Sequence, residues 1–435
     1  MTLTRRRFLS SAGGAAGLYL LSPIAARVGR AAGLGVDPAT AARRRLVVIG
    51  LGGGNDGLNT VIPIADVAGA ARASVYRKVR PSIAYRPEQT LPLDRPGDVD
   101  HGLGLNASMP YVHGLYKEGR VAIVQGVDYP NHSYSHFTST DIWHSGEPEQ
   151  GPQSGWVGRH LDRSGAGEGE LRAVGVGYRL PLLLRGEARQ GMGLINIPAT
   201  RFADGAESDE IARARHNALT GFGDHPSSEV LASSVGRGTR ATVGLVRELE
   251  GTTVPASTGD ALADSIITAR ILLERNLGVE TVYLEHPGFD THTTQRPAQE
   301  ALLGQLDRAL RLFWTGRFGE TQVLPELPAG VADRTMVMTI SEFGRRIGEA
   351  GAAESAGTDH GAASPVFLVG PAAAGSRLVG GLHGEHPNMG TPTLPADDLM
   401  MTTDLRRLCS SVLTNWLSDP DPLFRHHAPL PGLFR

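Results

Sequence analysis

The chain has 435 residues, and its 42 Lys and Arg against 45 Asp and Glu give a formal net charge of −3. This near balance disfavours a general nucleic-acid-binding protein, which would carry an excess of basic residues. Hydrophobic residues make up 40 % of the chain, and no apolar run in its body reaches the roughly 20 residues of a membrane span. The composition predicts a soluble body that buries a large core.

The first 32 residues resemble a twin-arginine export signal. Arg5-Arg6-Arg7 precede a weakly apolar stretch rich in Gly and Ala over residues 12–26, and small residues near 25–26 or 31–32 suit cleavage. An uncleaved signal anchor is the alternative. Removal of residues 1–32, which contain five Arg and no acid, changes the net charge from −3 to −8. We expect export by the twin-arginine machinery to the periplasm or beyond, with no stable membrane span after cleavage.

Residues 33–435 predict a single α/β domain, because short apolar runs alternate with helical spacing. Gly, Ala, Arg and Ser dominate residues 178–257, which predicts an insertion or cover region. Cys409 is the single cysteine and follows helical apolar spacing, so we interpret it as a core residue. Thr403 is the expected cap of the last helix. In chain order the elements are strand 46–49, helix 106–117, strand 121–124, helices 138–144 and 261–275, strand 281–284, helix 298–313, strands 336–340 and 366–369, and helix 404–417.

Carboxylates and imidazoles cluster just past the predicted strand ends. In open α/β sheets the loops at the carboxyl ends of strands converge on one crevice. Asp359 and His360 precede a strand, so their loop would have to fold back to that edge. A mixed oxygen and nitrogen set suits Zn²⁺ or Mn²⁺ better than Ca²⁺, with one or two ions bound. The candidate metal ligands are Asp56, Asp290, His292, Glu342, Asp359 and His360.

Ser133, Ser135 and His136 lie between the second predicted strand and a short helix. A hydroxyl at a helix start lies near unpaired N–H groups, which favour anions and an ionised nucleophile. These three residues are the candidate catalytic group, although an ordinary Ser N-cap beside a surface His is an equal reading. Asn55 and Arg345 are candidate anion-binding residues.

A dinucleotide-binding loop is a weaker reading of Gly50-Leu51-Gly52-Gly53-Gly54. The fingerprint G-x-G-x-x-G would need glycine at position 55, which is Asn55, and Asp56 follows it. A nucleotide-dependent oxidoreductase therefore stays a third hypothesis.

Several short motifs together resemble the exported domain of unknown function 1501 family, which is itself similar to the alkaline phosphatase and sulfatase superfamily. The resemblance implies an alkaline-phosphatase-like α/β fold, a mostly parallel central sheet covered by helices on both faces, with one or two divalent metals at the strand ends. The motifs are Gly53 to Asn59, Ser135-His136-Phe137, Asp141-Ile142-Trp143, Phe289 to His292, Ser341 to Arg345, and Gly357 to Gly361.

The same resemblance implies roles for individual residues. Asp56 resembles the metal ligand after the first strand, Asp290 and His292 resemble the Asp/His pair of one metal, and His360 resembles the final histidine. Glu342 stands where an Asp-His pair usually binds a second metal, but Phe343 follows it. The spacing Asp290-Thr291-His292 is also shorter than the usual Asp-x-x-x-His, and the formylglycine motif of type I sulfatases is absent.

The first functional hypothesis is a metal-dependent hydrolase or transferase that uses a serine nucleophile on small-molecule or polymeric esters of phosphate or a related acid. The alternative is a non-catalytic exported protein of the same fold that binds a metal or another ligand. The departures at Glu342 and at the Asp290/His292 spacing favour this alternative.

Overall fold

The computed structural model describes residues 43–435 apart from 68–70, 96–100, 150, 165–170, 178, most of 198–251, 276, 352, 372–376, 388 and 390–397. The expected export signal and much of the expected 178–257 cover region lie outside the described residues. Of that region, the segment Met192–Leu194 is an edge strand of the main sheet.

Sixteen strands are defined in the described part of the chain. They are β1 Arg45–Gly52, β2 Val61–Pro63, β3 Thr90–Pro92, β4 Leu103–Asn106, β5 Val121–Asp128, β6 Ala173–Val176, β7 Met192–Leu194, β8 Thr281–Pro287, β9 Arg317–Phe318, β10 Thr321–Gln322, β11 Thr335–Ile340, β12 Gly344–Arg345, β13 His360–Gly361, β14 Ser364–Val369, β15 Gly381–His383 and β16 Thr403–Asp404.

Nine of these strands form one sheet in the order β15-β5-β14-β11-β1-β8-β6-β7, with β16 also paired to β5. Strand β1 is central and pairs in parallel with β11 and β8. Strand β14 is antiparallel to both of its neighbours, β11 and β5, and every other pairing in this sheet is parallel. The sheet is therefore mostly parallel, as expected, and contains a single reversed strand.

Helices cover both faces of this sheet. Along β1, Val47 and Ile49 belong to one buried apolar cluster, and Leu46 and Val48 belong to the other. This explains why the strand is apolar at successive positions, since both faces are buried. The helices are α1 Arg72–Val79, α2 Pro110–Lys117, α3 His136–Ser145, α4 Trp156–Arg163, α5 Ala261–Glu274, α6 Gln295–Thr315, α7 Ala329–Ala332 and α8 Leu405–Ser411.

The helices on the two faces of the sheet contribute to different apolar clusters. Helices α2, α5 and α6 contribute to the cluster that contains Val47, whereas α3, α4 and α8 contribute to the cluster that contains Leu46. Cys409 is fully buried in the second cluster. Each of the five predicted strands and five predicted helices overlaps an observed element of the same type.

The predicted cap of the last helix is wrong. Asp404 is the N-cap of α8, and its Oδ1 accepts the N–H of Arg406 at 2.8 Å. Thr403 and Asp404 both pair with β5, and the helix begins at Leu405, so Thr403 lies one residue before the cap position. The helical run continues past α8 as a single π-helical turn, Val412–Trp416.

Candidate functional site

The loops that carry the candidate residues meet at one edge of the main sheet. Strands β1, β5, β8 and β11 all end there, because they run in the same direction. Since β14 is antiparallel, it begins at this edge, so the segment before Ser364 reaches the site directly. Asp359 and His360 therefore reach this edge without the expected fold-back of their loop.

Three donor atoms, one each from His136, Asp290 and His360, lie within 4.8 Å of one another. The Nε2 atom of His360 is 3.0 Å from Asp290 Oδ1, and Nε2 of His136 is 3.6 Å from Asp290 Oδ2. His292 joins them, with its Nε2 at 3.0 Å from both Asp290 Oδ1 and His360 Nε2. We call these four side chains the His/Asp cluster.

The other ring nitrogen of each histidine in the cluster contacts an acceptor. Nδ1 of His360 is 2.9 Å from the carbonyl oxygen of Tyr134. Nδ1 of His136 is 3.1 Å from Glu342 Oε1, and Nδ1 of His292 is 3.2 Å from Asp359 Oδ1. A carbonyl or a carboxylate can only accept, so each Nδ1 carries a proton, and the Nε2 atom of each ring faces the cluster.

Three Nε2 atoms therefore converge on the Asp290 carboxylate. Such an arrangement is repulsive unless protons or a cation lie between the donor atoms. Histidines that ligate metals commonly donate their second N–H to a carboxylate or a carbonyl, which fixes the ring orientation. Glu342, Asp359 and the Tyr134 carbonyl occupy those supporting positions here.

Asp290 is partly exposed, and it is the negative centre of the cluster. Burial alone would raise its pKa, but hydrogen bonds from Arg345 and His360 and the charges of Arg345 and His292 outweigh it. These contacts lower the pKa of Asp290 to about 2. The carboxylate is therefore ionised throughout the physiological range.

Arg345 is fully buried, and its guanidinium joins three loops. It donates to the carbonyl oxygens of Gly54 at 2.9 Å, Phe289 at 2.8 Å and Thr358 at 2.8 Å, and to Asp290 Oδ1 at 2.8 Å. It also contacts the Gly53 carbonyl. These contacts position Asp290, and they differ from the open guanidinium that an anion clamp would present.

Glu342 connects the loop after β11 to the loop after β1. Its Oε1 accepts the N–H of Gly53 at 2.6 Å as well as contacting His136. Gly53 has a φ of 114°, and a Cβ there would lie 2.2 Å from the backbone nitrogen of Asp290. Only glycine fits, so the Gly-rich loop brings two strand ends together.

Asp56 has protein partners for both carboxylate oxygens. Its Oδ2 lies 2.6 Å from Nη1 of Arg80 and also accepts from Gln295, and its Oδ1 accepts the N–H of Leu58 at 3.2 Å. Asp56 and Arg80 are both buried. The described cluster of three donor atoms does not include Asp56, and its predicted metal role stays a prediction.

The serines lie in the turn before α3. Ser135 is the N-cap of this helix, but its side chain makes no cap hydrogen bond, and it is exposed. Its N–H donates to Ser133 Oγ at 3.3 Å. His136 is the first residue of α3, so the structure brings this predicted catalytic residue into the His/Asp cluster.

Asn55 is fully buried beside this edge. Its N–H donates to Ser341 Oγ at 2.8 Å, and its Oδ1 accepts from Thr60 at 2.9 Å. Its Nδ2 is buried without a hydrogen-bond partner in the described part of the chain. The anion-binding role expected for Asn55 stays a prediction.

The sequence reasoning missed two groups at the site. The backbone oxygen of Tyr134 orients His360, and a carbonyl leaves no signal in a sequence. Asp128 and His132 form a second contact in the same loop, with 2.9 Å between Asp128 Oδ2 and His132 Nδ1. Their spacing of four residues after a strand, Asp-x-x-x-His, was the signal that could have found them.

The fold and the site define an α/β protein with a His/Asp cluster at the carboxyl edge of a mostly parallel sheet. The chain belongs to the family described as "Protein of unknown function (DUF1501)", whose model matches residues 121–427. No curated protein matches the chain. Among solved structures, the PH0037 protein from Pyrococcus horikoshii is similar at 11 % identity over 75 % of this chain and 86 % of that chain, with a TM-score of 0.28. None of the described helices is long and apolar enough to cross a membrane.

Proposed function

We propose that this protein is an exported hydrolase of phosphate or related esters, that it depends on a divalent metal, and that the His/Asp cluster holds the cation. The observation that carries the proposal is the convergence of three Nε2 atoms on the Asp290 carboxylate. The similarity to the alkaline phosphatase and sulfatase superfamily, taken from the sequence motifs, supports the same reaction class.

The donor atoms fit such a cation. In a tetrahedral zinc site with bonds of about 2.0 Å, neighbouring ligand atoms are about 3.3 Å apart. The separations of 3.0 Å between Asp290 Oδ1 and the Nε2 atoms of His292 and His360 are close to that edge length. Imidazole nitrogen with carboxylate oxygen suits Zn²⁺ or Mn²⁺. A bound divalent cation would polarise the ester and lower the pKa of an alcohol or water in contact with it.

Residues of α3 supply the remaining chemistry. The hydroxyl of Ser135 makes no cap hydrogen bond and lies at a helix N-terminus, where unpaired N–H groups favour negative charge. We assign Ser135 as the nucleophile, with Ser133 as the second candidate. Its oxygen would bond to phosphorus as the bond to the substrate's alcohol breaks, and the alcohol would leave with the hydroxyl proton. Water would then cleave the seryl ester and release the acid. His136, fixed by Glu342, would hold the first turn of α3 against Asp290.

The test is zinc or manganese binding joined to a panel of phosphate mono- and diesters. We expect Asp290→Ala to abolish tight metal binding and to lower the rate of hydrolysis by at least about 100-fold. The reason is that a bound metal ion typically contributes several kcal/mol of transition-state stabilisation. Asp94→Ala removes an exposed carboxylate elsewhere and is the matched control. Metal binding by Asp290→Ala equal to that of the wild type would overturn the proposal.

The second candidate function is non-catalytic binding of a cation. One observation favours it: the carboxylates of Asp56 and Glu342 are both engaged by protein donors. Tight zinc binding that Asp290→Ala abolishes, without hydrolysis of any ester by the loaded wild type, would establish this function instead.

A further inference from the structure

Two segments linked to the His/Asp cluster carry exposed apolar side chains. Six large apolar side chains are exposed in the described part of the chain, and four of them belong to two short segments, 134–137 and 400–401. These four are Tyr134, Phe137, Met400 and Met401, and we call them the apolar rim.

One segment of the rim is part of the cluster's own loop. Phe137 directly follows His136 in the first turn of α3, and 86 % of its surface is exposed. Tyr134 lies on the other side of His136 in sequence, and its carbonyl holds His360. Both aromatic residues therefore flank His136 closely in sequence, and the Nε2 atom of His136 faces Asp290.

Hydrogen bonds tie the second segment to the first. The hydroxyl of Tyr134 donates to Asp398 Oδ2 at 2.9 Å. Asp398 Oδ1 accepts the N–H groups of Ala362 and Leu399, both at 2.8 Å. Ala362 lies two residues after His360, so the chain that leads into Met400 and Met401 is fixed to the loop before β14.

We propose that the apolar rim is a subsite for an aromatic or alkyl group of the ester substrate, so that the preferred substrate is amphiphilic. This inference rests on the proposed function. Exposed aromatic and methionine side chains next to a polar centre are typical of ligand surfaces, and methionine adapts to varied apolar shapes. The Tyr134 carbonyl joins the rim to His360, and this continuity with the cluster favours the substrate itself as the occupant.

The test compares two non-hydrolysable probes, phenylphosphonate and methylphosphonate, on the full chain loaded with one equivalent of Zn²⁺. Both probes share the anionic head, so their affinity ratio isolates the apolar group. We expect calorimetry to show phenylphosphonate binding about 10-fold more tightly, and Phe137→Ser with Met400→Ser to bring the ratio below about threefold. Leu423→Ser removes an exposed apolar side chain elsewhere and should keep the wild-type ratio.

The outcomes separate the rim from the proposed function. Equal, zinc-dependent affinities for the two probes would overturn the proposal that the rim is a substrate subsite. The metal-dependent anion site would still stand. Failure of both probes to bind would overturn the rim subsite and the proposed function together. Co-sedimentation with phosphatidylcholine vesicles that Phe137→Ser abolishes, together with equal probe affinities, would assign the rim to a membrane surface and overturn the substrate subsite. Circular dichroism and retained zinc binding verify that each variant is folded.

Discussion

Asp56 and Arg80 form a buried ion pair, and both side chains are almost completely excluded from water. Arg80→Ala would leave the Asp56 carboxylate buried without its cation, so we expect a loss of about 3–5 kcal/mol in the free energy of unfolding. Urea unfolding at pH 7 measures this loss. Arg311→Ala removes one of two arginine partners of the exposed Glu320, and should cost no more than about 1 kcal/mol. Similar losses for the two variants would contradict the assignment of Asp56 to a structural pair.

Glu342 acts on the cluster through His136 and Gly53. Residues that orient a metal-ligating histidine typically contribute 10- to 100-fold to metal affinity. We therefore expect Glu342→Ala to weaken zinc binding by about that factor, and Glu342→Gln to recover part of it because the amide oxygen still accepts. Competition with a chelator measures both constants. If Glu342→Ala abolishes binding as completely as Asp290→Ala, Glu342 is a ligand instead.

At the scale of an element, α3 carries a pH-sensitive residue at the end away from the cluster. Burial of His144 lowers its pKa to about 4, from the ordinary 6.5. Between these values the unfolded chain binds a proton that the folded chain does not, so stability is full above pH 6.5 and falls as the pH drops toward 4. Over that pH range His144 alone changes the free energy of unfolding by about 3 kcal/mol.

His144→Phe should therefore flatten the pH dependence of Tm. The ring of His144 packs edge-on against Tyr283 at 5.5 Å between centroids, and an aromatic replacement preserves this contact. Differential scanning calorimetry between pH 7 and pH 4.5 compares the variant with His426→Phe, which changes an exposed histidine. The same slope in both variants would show that His144 does not titrate in this window.

At the scale of the whole molecule, the single Cys409 reports on global opening. It is fully buried in the core on the α8 face, and burial raises the pKa of its thiol. Only the thiolate reacts readily, so the native protein should resist Ellman's reagent at pH 8. In urea, the labelling midpoint should coincide with the unfolding midpoint measured by circular dichroism.

A cysteine on the surface is the control for this measurement. Leu423→Cys in a Cys409→Ala background should react at the rate of a free thiol, because Leu423 is exposed. Rapid labelling of Cys409 without urea would mean that the helices on this face open locally, without unfolding of the sheet.

Local patterns were sufficient for five of the strands and five of the helices described in this protein. The apolar runs at Leu46 and Val121 predict buried strands because both faces of the sheet are covered, so that successive side chains avoid water. The N-cap of α8 is a feature that the local pattern did not identify correctly. Asp404 and Thr403 are both good caps, and the first helical residue, Leu405, follows Asp404 directly.

The sequence by itself determined the residue types of the candidate site and their position after strand ends. Tertiary structure decided which of them meet. The antiparallel direction of β14 places His360 against Asp290, and Arg80, 24 residues beyond Asp56, takes that carboxylate into a buried pair. The physical reason is that strand direction and the choice of ion-pair partner depend on contacts between distant segments, whereas hydrophobic periodicity is a local property of the chain.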